Sequence, residues 1–232
     1  MDQTPATARS GIGLGRLPVL LSPQNAVYGV ALNFRAEYER WESRMRSEPY
    51  RQPPLAPILY LKPRNTWIAH GDSIPLPPDV AQVKVSGTLG VVLGRAACRV
   101  AAGEALACIG GYVIVTDVSV PHDSYYRPAL RERCRDGFCA IGAVSPASAI
   151  PDPNQVEIRI SVNGQVRAVA GTASLVRPVE RLIADITEFL TLGAGDVLLA
   201  GEVPDAPLAS AGDHVRVEIA GLGVLETPVV RQ

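Results

Sequence analysis

The stretch from Val156 to Val169 constrains the fold most. Val156-Glu157-Ile158-Arg159-Ile160-Ser161-Val162 alternates apolar and polar residues, Asn163-Gly164 follows, and Gln165 to Val169 returns. A period of two puts one set of side chains on each face of a strand. Asn-Gly suits a two-residue hairpin turn, because both positions of such a turn need positive φ. An antiparallel hairpin with one buried face is therefore expected here.

Other segments extend the pattern. Strands are read at Ala26–Leu32, Ile58–Leu61, Val83–Leu93, Gly111–Val115, Val197–Ala200, His214–Ile219 and Val224–Val230. Val179, Leu182, Ile183, Ile186 and Leu190 share one face of an amphipathic helix over 179–190. Arg35 to Ser47 reads as a short amphipathic helix or loop, and Gly103 to Ile109 as a short helix. Pro75, Pro77 and Pro78 mark an irregular stretch. Strands outnumber helices and there is no regular βαβ alternation, so the class is α+β, mostly β. Residues 1–21 read as a flexible arm and 22–232 as a single domain. Gly11-Ile12-Gly13-Leu14-Gly15 lacks the preceding strand and glycine spacing of a dinucleotide-binding turn.

Polar chemistry gathers in Thr116 to Gly142. This stretch holds Asp117, four arginines (Arg127, Arg131, Arg133, Arg135), His122, Tyr125 and Tyr126. Asp117 is placed where the Gly111 strand ends and a loop begins, a position where rigid scaffolds carry small-molecule sites. Hydrophobic content of 47% supports a sizeable core, and a net charge of −1 with no basic block argues against a nucleic-acid surface. No apolar run reaches the roughly 18 residues that span a bilayer, and no signal peptide is read, so a cytoplasmic protein is expected. Cys98, Cys108, Cys134 and Cys139 form no CxxC pair and read as free thiols. Cys134 would be the reactive one if any, because Arg133 and Arg135 beside it favour a thiolate.

Several of these motifs occur together in a fixed order. They are Lys62-Pro63-Arg64-Asn65-Thr66, the Gly94-closed strand, Asp117-Val118-Ser119, Arg133-Cys134-Arg135-Asp136-Gly137, Asn163-Gly164, Phe189-Leu190-Thr191-Leu192, Gly195-Asp196-Val197 and Gly212-Asp213. This ordered set resembles the fumarylacetoacetate hydrolase family over residues 26 to 230. Within it, Lys62 to Thr66, Tyr126-Arg127-Pro128-Ala129-Leu130 and Cys134-Arg135-Asp136-Gly137-Phe138-Cys139 most resemble one branch. That branch comprises the isomerase/decarboxylases of 4-hydroxyphenylacetate (homoprotocatechuate) degradation, and the likeness is to their N-terminal half or subunit.

The resemblance implies a mixed β-roll or sandwich and a divalent metal, usually magnesium. It implies decarboxylation of 5-oxopent-3-ene-1,2,5-tricarboxylate and isomerisation of 2-hydroxyhepta-2,4-diene-1,7-dioate. The partners it implies are a small polycarboxylate substrate and a homologous C-terminal subunit, in a homodimer or heteromer.

The family's Glu-x-Glu metal ligands fall on Ser86 and Thr88, leaving Asp117 alone, so a tightly bound magnesium is not expected. Glu37 and Arg40 stand where relatives carry a His and Glu dyad. The family's Thr-Gly-Thr-Pro appears as Ala200-Gly201-Glu202-Val203, and Arg133 stands in place of a lysine. By this carry-over, Asp117, Arg133 and Lys62 are the catalytic candidates, and Arg127, Arg135, Thr172 and Gly201 the substrate-binding ones. Three readings follow: an active half with a rearranged site, a degenerate partner of a metal-bearing subunit, and a carboxylate-binding module without turnover.

Overall fold

The computed structural model describes Ser22 and residues 24–232; residues 1–21, read above as an arm, lie outside the described residues. The first half contains β1 (Val27–Ala31), α1 (Arg35–Met45), β2 (Ile58–Leu61), β3 (Trp67–Ala69), β4 (Ile74–Leu76), β5 (Val83–Leu93), α2 (Ala102–Ala105) and β6 (Ile109–Ser119). The second half contains α3 (Leu130–Arg133), β7 (Cys139–Ile141), β8 (Ser145–Pro146), β9 (Glu157–Val162), β10 (Gln165–Gly171) and α4 (Val179–Thr187). The chain ends with β11 (Val197–Leu199), β12 (Leu208–Ala209), β13 (His214–Ile219) and β14 (Gly223–Arg231).

The β9–β10 hairpin turns at Asn163 (φ 52°) and Gly164 (φ 75°), the positive-φ pair that its sequence requires. It opens a five-stranded sheet in the order β10-β9-β13-β14-β4. Ile158, Ile160 and Val162 of β9 are buried, while Glu157 and Arg159 are exposed.

The larger sheet runs β2-β1-β11-β5-β6-β7-β3, with β12 and β8 pairing short lengths of β5 and β6. Its shape follows from chain length. Laid flat, seven strands would separate β2 from β3 by about 29 Å, six gaps of roughly 4.8 Å. The link from Leu61 to Trp67 reaches at most about 20–22 Å when fully extended. The sheet must therefore curl until its two ends approach. Trp67 of β3 and Val27 of β1 accordingly share one buried cluster with Val92, Val113, Val115, Ile141, Val197 and Leu199.

The opposite face of this sheet packs on the five-stranded one, and the largest core lies between them. At Gly87 of β5 the approach is close: a Cβ there would meet Val217 Cγ1 at 2.7 Å and Ile158 Cγ2 at 3.0 Å.

Three readings from the sequence change. The Gly111 strand continues to Ser119, so Asp117 lies within β6, with Ser86 opposite on one side and Cys139 on the other. The helix read to Leu190 ends at Thr187, where Phe189 and Leu190 both donate backbone bonds back to Ile186 and the chain turns toward the Leu192–Ala97 bridge. The proline-marked stretch contains β4, which pairs in parallel with β14. Pro75 is tolerated there because β4 is the edge of its sheet.

Candidate functional site

Alternation along β5 and β6 assembles the site. Ser86 faces Asp117 across the β5–β6 ladder, and Thr88 lies two residues along on the same face. That face is the inside of the roll. The Leu61–Trp67 link, which closes the roll, brings in Lys62. Its Nζ donates to the carbonyls of Val118 (2.6 Å), Phe138 (3.0 Å) and Arg133 (3.1 Å). Asp117 Oδ1 sits 2.5 Å from the same Nζ, held by charge rather than by a directed hydrogen bond. Both side chains are buried. Lys62 is therefore a staple across the seam, with its three N–H groups directed at backbone carbonyls.

Tyr60 precedes Lys62 by two residues, and its hydroxyl donates to Asp117 Oδ2. The Arg133 guanidinium lies 4.2 Å over the Tyr60 ring and 3.8 Å from Asp117 Oδ2. It also binds Glu202 through both arms, Nη1 to Oε1 at 3.0 Å and Nη2 to Oε2 at 2.9 Å. Arg133 is 3% exposed and Glu202 7%, so this is an ion pair largely out of water. Glu202 is delivered by the segment after β11. There the Val203 N–H bonds Ser86 Oγ at 2.9 Å, and Gly201 packs at φ 149° against Asn33 and Phe34. Lys84, on the same β5 face as Ser86, adds a third cation 3.7 Å from Glu202.

Charge decides the ionisation of this cluster. Burial opposes ionisation of Glu202, but Arg133, followed by Lys84, outweighs it and holds the carboxyl well below the usual range. Burial and then the Asp117 and Glu202 charges push the Tyr60 phenol well above its usual value. Burial also raises the Cys134 thiol and outweighs Lys62 and Arg133, so the thiolate expected from the flanking arginines is not favoured. Arg135 in fact points elsewhere, gripping Asp79 at 2.8 and 3.2 Å.

A cavity of about 520 Å³ opens beside the cluster, between β2 and the chain from His122 to Cys134. Tyr60 and Arg133 form its inner wall. Ile58, Leu59, Tyr125 and Pro128 are among its apolar lining, and Arg127 also lines it. Among the described residues Arg127 has no hydrogen bond or ion pair. His122 shares the wall; its Nδ1 donates to the Ser124 carbonyl at 3.2 Å, and burial followed by Arg133 lowers its pKa.

The structure thus gathers Asp117, Lys62 and Arg133, together with Ser86 and Thr88, and sets Arg127 on the adjoining cavity. Arg135 lies apart on Asp79. Thr172 is buried with its hydroxyl accepting from the Val156 N–H at 2.9 Å. Glu37 serves α1, accepting from Trp41 Nε1 and pairing with Arg40. Sequence reasoning missed Tyr60, Lys84 and Glu202 as members. The signal for Tyr60 was its place two residues before Lys62 on a strand.

The residues do not fit the divalent cation that the motifs imply. Asp117 supplies one carboxylate, already met by Lys62 and Arg133, while Ser86 and Thr88 bring neutral hydroxyls and Ser86 Oγ is engaged with Val203. A hard dication needs anionic oxygens to offset its dehydration, and two side-chain cations beside the one carboxylate oppose it. Among the described residues no group of three or more His, Cys, Asp or Glu could hold a metal ion, and no helix is long and apolar enough to cross a membrane.

Comparison with known proteins agrees with this architecture. The pattern of the fumarylacetoacetate (FAA) hydrolase C-terminal family matches residues 26–230. The 4-hydroxyphenylacetate degradation bifunctional isomerase/decarboxylase of Salmonella dublin is 36% identical over 209 residues, covering 90% of this chain and 48% of that protein. The chain thus spans about half the length of such relatives. The 5-carboxymethyl-2-hydroxymuconate delta-isomerase of Mycobacterium smegmatis superposes with a TM-score of 0.77 at 32% identity, covering 93% of this chain and 81% of that one. The 2-hydroxyhepta-2,4-diene-1,7-dioate isomerase of Mycobacterium marinum gives a TM-score of 0.74 at 30% identity, covering 90% and 75%. With the rolled sheet, the motif order and the match over nearly its whole length in agreement, this chain belongs to the fumarylacetoacetate hydrolase family.

Proposed function

We propose that this chain is one of two homologous halves of an isomerase/decarboxylase of 4-hydroxyphenylacetate catabolism, corresponding to the N-terminal half. In this reading residues 22–232 are a single domain whose cavity receives 2-hydroxyhepta-2,4-diene-1,7-dioate or 5-oxopent-3-ene-1,2,5-tricarboxylate, and the second half carries the metal chemistry. Such substrates carry a conjugated stretch within a short chain that ends in carboxylates. An apolar wall suits the chain, and a free guanidinium suits a carboxylate. The observation that carries the reading is the contrast between Arg127, unpaired among the described residues and lining the cavity, and the inner cluster, whose carboxylates are paired with Lys62, Arg133 and Lys84. The half-length match to the bifunctional relatives supports a second half.

A second reading, in which this chain performs its own proton transfer, is favoured by Tyr60 and His122 on the cavity wall. The test is to assay both reactions with the chain alone and mixed with a metal-bearing homologous subunit, each with magnesium and with a chelator. Turnover confined to the mixture, with Arg127→Ala raising its KM, supports the first reading. Chelator-insensitive turnover by the chain alone replaces it with the second. An unchanged KM for Arg127→Ala refutes the carboxylate seat.

A further inference from the structure

Arg133 and Glu202, both positions where the resemblance implies other residues, lie 69 residues apart in the chain. The structure shows that they are partners, paired through both arms at 3.0 and 2.9 Å beside Asp117. A carboxylate bound across a guanidinium in this way has the geometry that a carboxylate ligand would adopt. Arg133 also forms part of the cavity wall. We infer that Glu202 is a built-in occupant of a second carboxylate seat at Arg133, so that this seat is closed to dicarboxylate ligands in the unmodified chain. The inference rests on the reading of the cavity as a polycarboxylate site and explains why the inner cluster would be silent there.

Physical reasons favour occupation over exchange. Glu202 is tethered, so its effective concentration at Arg133 far exceeds that of a free ligand. Ser86 Oγ anchors the next residue, Val203, and Gly201 packs tightly against Asn33 and Phe34. An incoming carboxylate would also meet the Glu202 charge at close range. Removing that charge leaves Arg133 on the cavity wall, and Lys84 behind it, with one counter-ion fewer.

The test uses sodium malonate as the probe, with binding followed by calorimetry on the full chain in the presence of a chelator. Glu202→Gln is expected to bind malonate at least tenfold more tightly than the unmodified chain. The double variant Arg133→Gln/Glu202→Gln is expected to lose that gain. Because Glu202→Gln deprives the buried guanidinium of its two-armed partner, a second variant, Arg133→Lys/Glu202→Thr, carries the residue types that the resemblance implies at both positions and is expected to show the same gain. If neither Glu202→Gln nor Arg133→Lys/Glu202→Thr binds more tightly than the unmodified chain, or if the gain survives in Arg133→Gln/Glu202→Gln, where the cation is lost, the inference is overturned. Neither result bears on Arg127, whose role the KM of the subunit mixture reads separately.

Discussion

Lys62→Met removes the staple of the roll and predicts a large loss of stability. In the folded chain one ammonium satisfies three buried carbonyls and faces one buried carboxylate. A hydrogen bond to a charged group contributes about 1.5–3 kcal/mol, and removing one partner of a buried ion pair costs about 3–5 kcal/mol. These figures overlap, and Arg133 at 3.8 Å still offsets part of the Asp117 charge. A net loss of about 4–6 kcal/mol is therefore expected, a large share of the 5–15 kcal/mol typical of a domain. For a chain of this size that lowers Tm by roughly 10–20 °C. Urea unfolding at neutral pH measures it directly. The double variant Lys62→Met/Asp117→Asn should lose less than the sum of the single variants, since the second change removes the stranded charge. A Lys62→Met protein within 1 kcal/mol of the parent refutes the staple, and lost turnover at unchanged stability would make Lys62 a proton carrier instead.

Three further outcomes are expected. Thr116 and Thr227 are buried between the sheets with hydroxyls that have no partner among the described residues, so Thr227→Val should be neutral or stabilise by up to about 2 kcal/mol; a loss above 1 kcal/mol by denaturant titration would contradict this. Gly87→Ala drives a methyl against Val217 and Ile158 and should cost about 1–3 kcal/mol through overpacking, which thermal unfolding would register. The depressed pKa of Glu202 gives a pH dependence of definite sign. Its contribution is fully present above the unfolded carboxyl value of about 4.3 and is lost as pH falls from there toward the folded value. Stability measured from pH 6 down to pH 3 should fall less steeply for Glu202→Gln than for the parent, and equal slopes would remove Glu202 from the account.

The parts legible in the sequence were those governed by local periodicity. β2, β5 and β13 begin and end where their apolar runs do, and the Asn163-Gly164 hairpin was fixed by its turn residues. β3, β4, β7, β8 and β12 escaped notice because two or three residues carry no measurable period. Their existence depends on partners far along the chain, such as β14 for β4. The end of β6 was misplaced for the same reason: a polar Asp117 resembles a loop residue until Ser86 and Cys139 flank it.

The site divided along the same line. The family resemblance named Asp117, Lys62 and Arg133 as candidates, and the structure brings the three side chains together. Sequence alone treated the changes at Arg133 and Glu202 as separate departures. Only the tertiary structure joined them, because the curl of the large sheet brings the segment after β11 over β5 and against the end of α3. Side-chain type and alternation are properties of neighbours in the chain, and the sequence determines them. Which buried charge meets which counter-charge depends on how sheet closure folds distant segments onto one another, and in this protein that closure decided whether Arg133 is an open cation or one half of an internal pair.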